Sequence, residues 1–156
     1  MSGGLHAARV DAWIIERSAQ DLSSEALLRL FEAAVGALWG RTKITLGEVT
    51  LTAIAERVLY TAAEKFPLFA SVEVEPMDGI QCRELRERIG SVHGSELIKA
   101  IRFVLVEFLT VLGNLTAEIL TPELHTELSK VALPQAGRRE KAAKSSSPPA
   151  RVRKES

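Results

Sequence analysis

The chain carries one cysteine, Cys82, among its 156 residues. An intramolecular disulfide is therefore impossible, and a small secreted scaffold held by disulfides is excluded. The N-terminus has no basic segment leading into an apolar run, so the cytoplasm is the expected location. Net charge is also lacking. Twenty basic residues balance twenty acidic ones, and the whole-chain balance gives no reason to expect nucleic acid or an anionic membrane as partner. The three histidines, His6, His93 and His125, have no cysteine or second histidine at metal-ligand spacing, and no HExxH stands in the sequence. Neither GxxxxGK[ST] nor GxGxxG occurs. Zinc chemistry, nucleotide phosphates and dinucleotides lose their usual signatures, and no metal or cofactor is expected. Long hydrophobic runs are missing as well. The most apolar stretch, Phe103 to Leu112, is interrupted by Glu107 and Thr110, whereas a membrane span needs about 20 apolar residues. Asn114-Leu115-Thr116 matches the glycosylation triplet only in form, since it falls inside a helical pattern and no secretion signal accompanies it.

What is present reads as a helical protein. Apolar residues make up 46% and charged residues 26%, which is ordinary for a globular chain, and the length suits one domain with one core. Residues 1–4 are expected to be a flexible N-terminus. Val10, Trp13 and Ile14 then follow helical spacing. Ser23 and Ser24 precede a run in which Leu27, Phe31, Ala34, Val35 and Leu38 share one face, and Gly40 is expected to close that helix. A short polar connection leads to a second run from Leu46 to Lys65, stopped by Pro67. The period then changes to two: Ser71 to Glu75 alternates, Asp78-Gly79 is a turn signal, and Ile80 to Cys82 returns, predicting a small β-hairpin. A charged helix from Arg83 ends near Gly90, and Ser95 is placed to cap a long helix from Glu96 to Leu120. Thr121-Pro122 starts a last helix. The expected architecture is mainly α, a single-domain bundle over residues 5–133 with a long central helix and a small hairpin insertion.

After Pro134 the periodicity stops. The tail, residues 134–156, holds seven basic residues (Arg138, Arg139, Lys141, Lys144, Arg151, Arg153 and Lys154) against Glu140 and Glu155, leaving 13 basic and 18 acidic residues before it. With Val152 its only larger apolar side chain, this segment is expected to be disordered. Flexible cations can neutralise phosphates, so weak, salt-sensitive nucleic-acid contact without base stacking is one role for it. A solubilising tail, or one that folds back on the acidic body, is the plainer reading.

The central helix carries more apolar surface than its neighbours need. One side, from Leu97 through Val104 and Phe108 to Ile119, is wholly apolar. On the other side Phe103, Val106, Thr110, Gly113 and Ala117 form a second seam among charged residues. That seam is a candidate subunit or partner interface, unless the segment around Trp13 or the last helix covers it. Chemistry is harder to assemble. Cys82 stands beside Arg83 and Arg86, which could lower a thiol pKa, but no base accompanies it. His125 near Glu118 and Glu123 is expected to be merely solvated. Arg83 to Ile101 resembles a DNA-reading helix-turn-helix only loosely, because its turn is too long and its second helix too apolar. The sequence thus favours a non-catalytic cytoplasmic signalling or regulatory adaptor acting by helix-mediated protein–protein contact, as homodimer or with another protein, and not an enzyme. The alternatives are a nucleic-acid-associated regulator using the tail, and a small-molecule sensor or enzyme with Glu107, Asn114 and Tyr60 converging between the central helix and the hairpin.

Overall fold

The computed structural model describes residues 2–18, 22–75 and 79–132. Among these residues six α-helices and one two-stranded antiparallel sheet follow in the order α1 (Ser2–Ser18), α2 (Ser24–Leu46), α3 (Glu48–Lys65), β1 (Glu73–Glu75), β2 (Gly79–Gln81), α4 (Arg83–Glu87), α5 (Gly94–Leu115) and α6 (Thr121–Lys130). The protein is a mainly α bundle with a small hairpin, as its sequence pattern predicts. Short 3-10 turns at Pro67–Ser71 and Ile89–Ser91 connect α3 to β1 and α4 to α5. No described helix is long and apolar enough to cross a membrane.

The helix α2 starts where expected. The Ser23 side chain accepts from the Ala26 N–H, meeting one of the donors that a helix start leaves without a partner. Its end differs from expectation. The helix runs through Gly40 to Leu46, and the polar connection shrinks to Gly47, whose φ of 85° few other residues adopt readily. Glycine inside a helix costs only about 1 kcal/mol. That is outweighed by burial on either side of it, of Trp39 and of Thr42, whose hydroxyl donates to the Leu38 carbonyl. The Gly47 N–H bonds the Lys43 carbonyl and its own carbonyl accepts from Leu51, so the hinge is hydrogen-bonded into both helices.

At the N-terminus, α1 takes in Ser2, Gly3 and Gly4, where composition suggested flexibility. The hairpin forms with Val74 opposite Ile80. It rests on α2: a side chain at Gly79 (φ 84°) would stand 3.1 Å from the Trp39 ring. Buried side chains of α2, α3 and α5, among them Phe31, Leu51, Leu105 and Phe108, make one continuous core, joined by Val10 and Trp13 of α1 and by Leu124 and Leu128 of α6. The central helix α5 begins at Gly94, with His93 rather than Ser95 as its cap residue, and stops at Leu115, five residues before its apolar pattern does. The predicted tail contacts lie outside the described residues.

Candidate functional site

The central helix sits between α1 and α3 as well as on α2. Arg102 pairs with Asp11 of α1, while the next residue, Phe103, lies 6.0 Å from the Phe66 ring at the end of α3, with Lys65 Nζ 5.5 Å from its ring centre. Between these contacts lies the outer face of α5. Phe103, Val106 and Thr110 are half-buried there. Phe103 is thus covered in part from the α3 side, while Trp13 lies beside Ile98 and Ile101 one turn earlier on α5.

Three of the five predicted seam residues lie along that face, and two do not. Gly113 is buried, but what occupies the space above it is the folded-back carboxylate of Glu118: a Cβ on Gly113 would stand 2.6 Å from Glu118 Oε1. Ala117 has left the helix altogether. It and Glu118 take left-handed backbone angles, φ 53° and 64°, and the Glu118 N–H returns to the Gly113 carbonyl at 2.7 Å. This is a helix-ending motif that glycine usually supplies, here made by residues with side chains.

Beside the outer face runs an open groove of about 330 Å³ between α3 and α5, lined by Ala53, Ile54, Arg57, Val58, Glu107 and Val111 among others. Neither Arg57 nor Glu107 forms an ion pair among the described residues. Tyr60 faces a different depression, of about 440 Å³, next to β1, and Asn114 is exposed near the end of α5. Glu107, Asn114 and Tyr60 therefore do not converge on one cavity.

A second cluster, which the sequence reading missed, joins α1 to α6. His6 is fully buried and His125 is 6% exposed, and His6 Nδ1 stands 2.9 Å from His125 Nε2. Glu118 Oε1 lies 3.5 Å from His6 Nε2 and takes a hydrogen bond from the Thr121 hydroxyl. The carboxylate favours a proton on His6 Nε2, which leaves Nδ1 to accept from His125 Nε2–H. Burial, His6 and Arg9 hold the His125 imidazole below its usual pKa, against the pull of Glu118. His125 is thus not the solvated residue its glutamate neighbours suggested. At the other end of α1, Trp13 Nε1 and Arg17 Nε both donate to the Val131 carbonyl, at 3.2 and 2.7 Å, and Arg17 Nη2 donates to Ser129. These are the carbonyls that the end of α6 would otherwise leave open.

Cys82 is buried, and its thiol is pushed up to about 12 by burial first and by Glu32 second. Arg86, the residue that would lower it, is paired with Glu32. A thiol held protonated at neutral pH is a poor nucleophile. Among the described residues no three His, Cys, Asp or Glu side chains are grouped to hold a metal ion. Compared with known proteins, the chain matches no family profile, no curated sequence and no solved structure, so its own residues carry the functional argument.

Proposed function

We propose that the protein is a non-catalytic cytoplasmic adaptor that works by docking a helical partner on the outer face of α5 and the adjoining α3/α5 groove. The observation that supports this reading is the pairing of half-buried Phe103 and Val106 with a groove whose two charges, Arg57 and Glu107, have no ion-pair partner among the described residues. Apolar side chains supply the area and the two charges supply register. The titratable groups of the fold do not argue for catalysis: the two closest imidazoles are bonded to each other inside the bundle, and the one thiol is held protonated.

Site-specific photo-crosslinking in the native host tests this. A photoreactive residue at Val106 is expected to capture protein, whereas the same residue at Arg29, exposed on α2, is not. Equal yields from both positions, or none from Val106, would sink the reading. The excess of cations after Pro134 supports a second role, non-specific nucleic-acid contact by the tail. Retention on DNA that falls with salt and disappears on deleting residues 135–156 would establish it.

A further inference from the structure

We propose that the groove between α3 and β1 docks a segment of the chain's own tail, the cationic run Arg151-Val152-Arg153-Lys154. This surface is separate from the outer face of α5. The groove holds about 440 Å³ and opens to solvent. Its floor is apolar, with Leu59, Phe69 and Val72 buried there. Its rim is acidic. Glu56 and Tyr60 of α3 and Glu73 of β1 line it and are exposed. Glu56, Tyr60 and Glu64 follow at steps of four, along one line of the helix surface. Glu73 and Glu75, either side of Val74, share one face of β1. None of these four carboxylates forms an ion pair among the described residues, and no described Lys, Arg or His lines the groove. The neighbouring cations are engaged elsewhere: Arg57 lines the α3/α5 groove, Lys65 Nζ sits over the Phe103 ring, and Arg88 donates to the Ser71 hydroxyl.

An acidic rim over an apolar floor calls for a cationic segment with one apolar side chain, and the chain carries one. Residues 134–156 hold seven cations against two carboxylates, whereas the rest of the chain holds 13 basic and 18 acidic residues. Length then selects the run. The tail continues from α6, which packs on α1, α2 and α5, so it must come round the bundle to meet α3 and β1. A body of about 130 residues is about 36 Å across, which puts its far side about 55 Å away over the surface. At about 3.5 Å per residue at most, Lys144 stays within about 40 Å of Ala132, whereas Arg151 can lie about 65 Å from it. Arg151 to Lys154 can therefore reach any point of the body. This run also contains Val152, the one larger apolar side chain of the tail, with an arginine on each side. Val152 suits the floor. The two guanidinium groups suit the carboxylates of the rim and the Tyr60 ring.

Paramagnetic relaxation in the full chain tests the assignment. The nitroxide is placed by Ser156→Cys, since the Cys82 thiol is buried and held protonated. Amides of Tyr60, Ala63, Ala70 and Glu73 are expected to broaden more than those of Arg9 and Ser129 on the α1/α6 side. Glu56→Lys with Glu73→Lys, both at exposed positions, should cut that broadening about threefold or more. Adding Arg151→Glu and Arg153→Glu should bring it back, and circular dichroism checks that each variant folds. Broadening that is strongest around Val131, or spread evenly over the body, overturns the proposal, as does a pattern indifferent to the charge reversals. A last arm mixes nitroxide-bearing copies with isotope-labelled copies that carry none. Broadening passed to the groove of the second kind would show docking between molecules and overturn a contact within one chain.

Discussion

Two buried imidazoles make a bond that double protonation forbids. His6 and His125 can share a hydrogen bond while at least one ring nitrogen in the contact is bare; with both rings charged, two N–H groups face each other at 2.9 Å. Burial and its neighbours hold folded His125 below the ordinary histidine value, so as pH falls the unfolded chain takes up the proton first. Stability is complete above about pH 6.5 and declines as the pH drops from there toward the folded value. Urea unfolding measured between pH 8 and pH 5 should show this decline, and His125→Gln should flatten it; a wild-type curve that is level or rises toward acid would contradict the assignment. The left-handed pair nearby gives a second expectation. Ala117 pays a steric cost for its φ of 53°, so Ala117→Gly should stabilise the protein by about 1 kcal/mol, seen as a higher thermal midpoint.

Elements depend on how their ends are closed. Gly47 joins α2 to α3 with one residue and no slack. Gly47→Ala forces a side chain into φ 85° and should cost about 1–2 kcal/mol in chemical unfolding, although the added methyl itself would meet no atom within 4 Å. Helix starts and the hairpin could be read from the sequence because their signals are local: Ser23 before an apolar face, Pro67 after one, alternation from Ser71 to Glu75. The ends of α2 and α5 could not. Gly40 looks like a stop, yet buried Trp39 and Thr42 carry α2 past it. Leu115 and Ile119 prolong the apolar rhythm of α5 but are exposed, and the helix ends between them at a turn fixed by Glu118 folding back over Gly113. Of the site, the outer face of α5 was legible from periodicity through Thr110. That Arg57 and Glu107 line one groove needs the packing of two helices. The histidine bond spans 119 positions, a separation at which one sequence holds no trace of contact.

The molecule as a whole is unevenly held. α2, α3 and α5 contribute most of the core, whereas α1 contributes Val10 and Trp13 and packs on α5 and α6 alone among the larger contacts. Its bonds to α6 close loops of more than a hundred residues, the contacts whose closure costs the chain most entropy. Native-state hydrogen exchange should therefore find α1 opening at a lower free energy than α2 or α5, as a separate cooperative unit. Uniform protection across the helices would rule that out.

The Val131 carbonyl, gripped by Trp13 and Arg17, also has a mechanical meaning. Among the described residues it is the last backbone group held by side chains of another helix, so a pull passed along the chain from residue 132 is borne there first. A tug from outside would strain the seam between the first and last helices before it reached the dense interior.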